Sequence, residues 1–429
     1  MKQLLNGTFT GRTSVPGDKS ITHRALMLGA LSQGTTHIKS PLISADTLRT
    51  FDNMRQLGAE VTRQGDDFTV VSKGHAHLKS PSDTIYTGNS GTTTRLITGL
   101  LAGLKTITAS VEGDATIAKR PMDRVVIPLS EMGADITLKD SKYPPVNIQP
   151  AQLKPLEYKM PIASAQVKSA ILFAGLFTSG ETIVHETHQS RNHSELMMAQ
   201  FGADITVNEN TVTLKGGKDL SSSDVTVPGD ISSAAFLIVL ALITKGSDIT
   251  IENVSLNETR SGIIDVVKMC GGDITITEHD SKGEPFGDIR VRYTEQLKPF
   301  HIDGEIIPRL IDEIPILAVL GVFADGDSTV RGAEELRFKE TDRITAVVNE
   351  LSKFGVNFEE YEDGFKIMPG YGKVRAGEMF KSYHDHRIIM MLIVMAIAAE
   401  THIQIDDQSA IDVSFPSFIN DLERLRKDR

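Results

Sequence analysis

The sequence predicts an α/β chain built from six copies of one helix–strand–helix–strand unit, three in each of two halves. Two observations predict this. A short phrase recurs: Gln56-Leu-Gly-Ala-Glu-Val-Thr62, Glu131-Met-Gly-Ala-Asp-Ile-Thr137, Gln200-Phe-Gly-Ala-Asp-Ile-Thr206, Met269-Cys-Gly-Gly-Asp-Ile-Thr275 and, degraded, Lys353-Phe-Gly-Val-Asn-Phe-Glu359. Each reads as a helix closed by a left-handed glycine and followed by an extended strand. Upstream of each phrase an apolar run precedes a β-branched stretch. The runs lie near 20–33, 92–103, 165–178, 232–244, 311–323 and 386–399, and the strands near 35–39, 105–111, 181–186, 247–253, 327–331 and 401–406.

Each element has its own warrant. The apolar runs are hydrophobic nearly all round, as buried helices are. The later helices are amphipathic: in 259–269, Ile263, Val266 and Val267 share a face with Met269 and Cys270. Helices are therefore expected inside and strands outside. The sixth unit closes with the amphipathic segment 417–426, with no strand expected after it. A longer repeat, Val15-Pro-Gly-Asp-Lys-Ser20 and Val227-Pro-Gly-Asp-Ile-Ser232, marks the halves. Pro-Gly pairs form turns, so the chain is expected to cross between domains there. The plainer alternative is that both copies only start helices.

The chain has 429 residues, 40% of them hydrophobic, and a net charge of −11, which suits two large globular domains. The acidic balance argues against nonspecific nucleic-acid or anionic-membrane binding. With a single cysteine, Cys270, no intramolecular disulfide can form. Residues 1–16 show no signal-peptide core, and the longest apolar run, 388–399, is too short to span a bilayer. A cytoplasmic location is expected.

Nucleotide loops are absent. Gly11 and Gly17 are six apart, but Gly17 is followed by Asp18. His384-Asp385-His386 lacks further ligands for a metal. What remains is a set of cations at predicted helix starts, where free N–H groups favour anions. Lys19, Ser20 and Arg24 open the first apolar run, and Asn89-Ser-Gly91-Thr-Thr-Thr-Arg95 opens the second. Lys119-Arg120-Pro-Met-Asp-Arg124 and Arg191-Asn-His-Ser-Glu195 follow strands and open helices. Lys339-Glu340-Thr-Asp-Arg343 is read as one helix face. Singly, each could be a cap or a solvated face. Repeated in an acidic chain, they suggest a cleft for small, multiply anionic substrates. Asp312, at the inner start of an apolar run, is a candidate base or a cap.

Together, Gly17-Asp-Lys-Ser20, Lys339-Glu-Thr-Asp-Arg343 and Asp385-His-Arg387 resemble the 5-enolpyruvylshikimate-3-phosphate synthase family. Ser164-Ala-Gln-x-Lys168, Arg191-x-His-x-Glu195 and Asn257-x-Thr-Arg260 resemble markers of its class II, glyphosate-tolerant branch. The resemblance covers essentially the whole chain. It implies a two-domain inside-out α/β barrel of six βαβαββ-type repeats. Residues 1–15 and 229–429 would form a discontinuous domain and 16–228 an inserted one. Hinges would lie near 15–18 and 227–230, with the active site in the interdomain cleft.

The implied reaction moves the enolpyruvyl group of phosphoenolpyruvate to the 5-hydroxyl of shikimate 3-phosphate by addition and elimination. No metal or cofactor is implied. Lys19, Asn89, Gly91, Arg120, Gln166, Arg343 and Arg387 are expected to hold phosphoenolpyruvate. Lys19, Ser20, Arg24, Ser164, Gln166, Arg191, Asp312 and Lys339 are expected to hold shikimate 3-phosphate. Asp312 would act as base, and Glu340 with Lys19 as acid. A monomer weakly inhibited by glyphosate is expected. Two departures stand out: Val413-Ser-Phe-Pro416 lacks a lysine, and Ala165 replaces a serine. Two rivals remain. One is the related transferase acting on UDP-N-acetylglucosamine, which usually carries a reactive loop cysteine absent from 112–124. The other is an anion-binding module without turnover.

Overall fold

The computed structural model describes residues 6–304 and 306–428. Residues 1–5 of the expected N-terminal segment, and the side chain of Val413, lie outside the described residues. The chain divides into two compact units. One comprises Gly17–Val227 with Lys282–Glu284, and the other Met1–Pro16, Pro228–Ser281 and Pro285–Arg429.

In the first unit three inner helices are α1 (Lys19–Leu31), α3 (Gly91–Gly103) and α5 (Ala165–Gly175), alternating with outer helices α2 (Ala45–Gln56), α4 (Asp123–Glu131) and α6 (His193–Gln200). In the second unit the inner helices are α7 (Ile231–Ile243), α9 (Ile314–Val322) and α11 (His386–Ala398); α8 (Gly262–Met269), α10 (Arg343–Ser352) and α12 (Phe418–Leu425) alternate with them. Every residue of α7 and α9 is buried. Such helices have no polar face to give to water, so they pack on one another: α7, α9 and α11 are in mutual contact.

Sheets cover the inner helices. In the first repeat the strand order is Val225–Thr226, Gln33–Lys39, Asp67–Lys73, Glu60–Gln64, the first pair parallel and the others antiparallel. Burial alternates along the strands, as expected of a sheet with one covered face. All five phrase glycines, Gly58, Gly133, Gly202, Gly271 and Gly355, have positive φ, so each closes its helix as the sequence predicts. Asp18 and Asp230, at matching places in the long repeat, cap α1 and α7 by accepting from the Ile21 and Ser232 N–H groups.

Four expectations are corrected. After each outer helix from α2 to α10 the chain forms an antiparallel hairpin, such as Glu60–Gln64 with Asp67–Lys73, where the residue pattern predicted one strand. The return strands carry no repeated phrase, so only the family resemblance implied them. After α12 a strand does follow: Arg426–Asp428 pairs antiparallel with Gly7–Phe9 and joins the sheet of Gly7–Ser14. Helix α8 starts at Gly262, not 259, because Asn257 turns the chain back on itself (below). Met269 leaves the apolar face and is 48% exposed, while Ile263, Val266, Val267 and Cys270 are buried.

Helices α3 and α5 touch at Gly99, where a Cβ would lie 2.2 Å from the Ala170 carbonyl oxygen and 2.6 Å from its Cα. A backbone cannot yield as a side-chain tip can. Gly99→Ala is therefore expected to cost about 1–3 kcal/mol in urea denaturation, as overpacking does; an unchanged midpoint would show that the helices separate freely.

Candidate active site

Within the first unit the starts of the inner helices meet. Gln166 Nε2 donates to Thr92 Oγ1 at 3.2 Å, joining α5 to α3. His23 Nδ1 lies 3.4 Å from Thr93 Oγ1, joining α1 to α3. Ser164 caps α5 by accepting from the Val167 N–H. Lys19, at the first position of α1, reaches Asp46 Oδ2 at 3.2 Å and keeps 35% of its side chain exposed. Ser20 is half-buried beside it, and Asn89 is exposed.

Arg24 is not the solvated charge its position allowed. It is 2% exposed and donates to Ser194 Oγ (2.7 Å), Ser169 Oγ (2.7 Å) and the Ser20 carbonyl (3.0 Å). Burial lowers its pKa to about 10 against the opposing pull of Glu195, Asp18 and Glu284. Arg24 thereby ties α1 to α5 and α6.

Two sequence motifs meet beneath the surface. Lys168, fully buried, pairs with Glu195 Oε1 at 2.6 Å and Glu186 Oε2 at 2.7 Å. Burial raises the Glu195 pKa, and Lys168 opposes it. His193 Nδ1 contacts Glu284 Oε1 at 2.7 Å, which draws Lys282–Glu284 into this unit. Arg191 is half-buried just ahead of this anchored stretch, and α6 itself starts at His193. Neither Lys168 nor Glu284 was singled out as functional; Lys168 was visible as a motif member, and Glu284 carries no sequence signal.

Arg120 likewise precedes its helix, which starts at Asp123, and is half-buried. Gly91 faces two guanidinium groups: a Cβ there would lie 2.7 Å from Arg95 Nη1 and 3.1 Å from Arg120 Nη1. Arg95 is 8% exposed, and burial, then Arg124 and Arg120, lower its pKa to about 10.

The second unit holds a denser set. The starts of α7, α9 and α11 meet through Ser232, whose hydroxyl donates to Glu313 Oε1, and through Arg387 Nη1, 3.9 Å from the same oxygen. Arg343 is 1% exposed. It donates to Asp385 Oδ2 (2.8 Å), Asp312 Oδ1 (3.2 Å) and Glu340 Oε2 (2.6 Å). Burial disfavours its charge, but Asp385, Glu340 and Asp312 outweigh that and raise its pKa. Lys339 Nζ is 3.6 Å from Asp312 Oδ1, and Arg387 Nη1 donates to the Asp312 carbonyl at 3.0 Å.

Lys339 and Arg343 do not share a helix face. Asp342 caps α10 by accepting from Thr345 N–H, so the helix begins at Arg343 and Lys339 ends a 3-10 turn, Glu334–Phe338. Nor does Asp312 cap α9: it lies in the 3-10 turn Ile311–Glu313, and the cap position is Glu313. Burial raises the Glu340 pKa, but Arg343, a backbone hydrogen bond and His386 together outweigh this and hold it at about 2. Its side chain still keeps 44% of its surface in water.

His384, Asp385 and His386 diverge. Asp385 caps α11 and pairs with Arg343; His384 is exposed at 3.3 Å from Asp407. Among the described residues no group of three or more His, Cys, Asp or Glu side chains could hold a metal, and no helix is long and apolar enough to cross a membrane. Burial pushes the Cys270 thiol up to about 12.

Comparison with known proteins shows what the chain is similar to. The family model of EPSP synthase (3-phosphoshikimate 1-carboxyvinyltransferase) matches residues 6–422. The 3-phosphoshikimate 1-carboxyvinyltransferase of Bacillus pumilus is 45% identical over all of both chains, and that of Staphylococcus aureus is 45% identical over 99% of this chain and 98% of its own. An EPSP synthase structure from Acinetobacter baumannii superposes with a TM-score of 0.90 at 40% identity, covering 98% of this chain and 96% of that one. The enolpyruvyl transferase NikO of Streptomyces tendae shares the fold, with a TM-score of 0.78 at 16% identity, covering 98% and 96% of the two chains.

Burial, then Lys19 and Arg24, depress the His23 pKa to about 3. Unfolded, this imidazole protonates near 6.5. Between those values the unfolded chain binds the extra proton, so stability rises with pH there and is complete above about 6.5. Acidifying from pH 6 to 5 is expected to cost about 1.2 kcal/mol through His23. Urea melts of wild type and His23→Gln check this, the variant losing that share of the slope.

Proposed function

The chain belongs to the EPSP synthase family, and on that premise we propose how its own side chains carry the family's reaction. The activity is 3-phosphoshikimate 1-carboxyvinyl transfer in the shikimate pathway. The 5-hydroxyl oxygen of shikimate 3-phosphate bonds to C2 of phosphoenolpyruvate while C3 gains a proton. The tetrahedral intermediate then loses the C3 proton and phosphate, leaving the enol ether.

Lys19, Arg120, Arg343 and Arg387 bind phosphoenolpyruvate, with Gln166 and the Asn89–Gly91 turn. Ser20, Ser164, Gln166, Arg191 and Lys339 bind shikimate 3-phosphate with Lys19; Arg24 adds its buried charge and fixes Ser20. Asp312 takes the 5-hydroxyl proton. Glu340, with Lys19, supplies and recovers the C3 proton.

The single observation carrying this reading is Arg343 joined to both Asp312 and Glu340. Asp385 alone would hold the buried Arg343 in place, and two further carboxylates beside it oppose simple anion capture. Those carboxylates are useful when protons must move. Without substrate, Glu340 is held ionised by Arg343. Phosphoenolpyruvate competes for Arg343 and brings its own negative charge, and both changes raise the Glu340 pKa towards that of a working acid. The cations meanwhile stabilise the departing phosphate.

Transfer to UDP-N-acetylglucosamine is the weaker reading, since the chain's one cysteine, Cys270, is buried with its thiol held protonated. We further assign the chain to the class II branch, as a cytoplasmic monomer.

Phosphate release from phosphoenolpyruvate, measured with each acceptor in parallel, tests the assignment. Release is expected with shikimate 3-phosphate and not with UDP-N-acetylglucosamine; the reverse would overturn the acceptor. Asp312→Asn and Glu340→Gln should each lose about 10²–10⁴-fold in kcat while binding substrates, and wild-type turnover in either would remove that residue from the chemistry. Glyphosate is expected to inhibit weakly; competition with phosphoenolpyruvate at low micromolar concentration would refute tolerance.

A further inference from the structure

The motif Asn257-x-Thr-Arg260 has no place in the scheme above, yet its residues are 1%, 5% and 4% exposed at Asn257, Thr259 and Arg260. Asn257 Oδ1 accepts from the Thr259 N–H at 2.9 Å and from its hydroxyl at 2.7 Å. The Asn257 carbonyl accepts from the N–H groups of Arg260 (2.8 Å) and Ser261 (3.0 Å). The turn is thus closed twice, by side chain and by backbone, and this is what delays α8 to Gly262.

It aims one guanidinium. Arg260 Nη2 donates to Asp230 Oδ1 at 3.0 Å and Ser232 Oγ at 2.8 Å, both at the start of α7. Arg260 Nη1 lies 3.7 Å from Asp312 Oδ2. The other oxygen of that carboxylate, Oδ1, faces Arg343 at 3.2 Å and Lys339 at 3.6 Å. Asp312 is therefore held from two sides: Oδ1 by groups assigned to substrates, Oδ2 by a cation assigned to none. Ser232, bonded to Arg260, also donates to Glu313, the next residue in the chain.

We infer that Arg260 is a positioning residue for Asp312, fixing the orientation of its carboxylate for proton transfer, and that the Asn257–Thr259 turn sets the direction of Arg260. This rests on the reading of Asp312 as the base. Arg260 is not a further substrate ligand: its guanidinium is buried, and Nη2 is committed to Asp230 and Ser232. A planar fork serves both α7 and Asp312; the single nitrogen of a lysine cannot.

Arg260→Lys keeps the charge beside Asp230 and Ser232 but gives up the second branch. The variant is expected to lose about 10- to 100-fold in kcat, part of the effect of acid–base help, with both KM values within about threefold of wild type. Combined with Asp312→Asn, it is expected to add no loss beyond about threefold to that of Asp312→Asn alone, because residues acting as one unit are non-additive. Full additivity would make Arg260 merely structural and overturn the inference. So would an unchanged kcat, or a raised KM for phosphoenolpyruvate alone. If Asp312→Asn itself turns over like wild type, the base assignment fails separately. Should Arg260→Lys not fold, Thr259→Val leaves every charge in place; a several-fold fall in kcat at constant KM is expected, and an unchanged kcat overturns the inference.

Discussion

A helix that is apolar on every side can offer chemistry only at its ends. That constraint governs this molecule. Helices α7 and α9 have no exposed residue, and α1, α3 and α5 are buried beyond their first turns, as is α11 up to Ile397. Their flanks pack on one another and under sheets, so polar residues collect where the helices begin. In each unit three such starts come together, joined by Gln166–Thr92 and His23–Thr93 in one and by Ser232, Glu313 and Arg387 in the other. Free backbone N–H groups and fixed cations then share one place, which suits anions.

The electrostatics of the two sets differ. In the first unit Lys19, Arg120 and Arg191 stand partly exposed, and deeper charges such as Lys168 are matched by Glu186 and Glu195. In the second, Arg343 is already surrounded by Asp385, Asp312 and Glu340. Buried charges without partners are costly, so these carboxylates keep the guanidinium ionised and in place before substrate arrives. In the scheme proposed above, Asp312 and Glu340 also carry the protons. There an arriving dianion changes their partners and hence their proton affinity, so binding and acid–base chemistry act on the same side chains.

Not every motif near a site touches substrate. Lys168 and Glu195 belong to two motifs separate in sequence, and their salt bridge joins the two stretches. Arg24, expected as a phosphate ligand, also spends its donors on Ser20, Ser169 and Ser194. Such groups hold the helix starts in register. Precise placement of this kind is what an addition–elimination reaction demands, since the same base and acid must serve both steps.

The inner helices, the glycine closures of α2, α4, α6, α8 and α10, and the cation-bearing starts are legible in the sequence. These depend on local pattern: apolar runs, a left-handed glycine after each of those five outer helices, and a capping aspartate before α1 and α7. The sequence also carried the family, because Lys339-Glu-Thr-Asp-Arg343 and Asp385-His-Arg387 are contiguous. It could not show the return strands, the pairing of Arg426–Asp428 with Gly7–Phe9, or the break before Arg343, where the Asp342 cap overrides an apparent helix face. Which polar side chains meet was visible in the tertiary structure alone: Arg260 with Asp312, Lys168 with Glu195, His193 with Glu284. Pairing between distant residues depends on how helices and strands pack, and no local spacing encodes it.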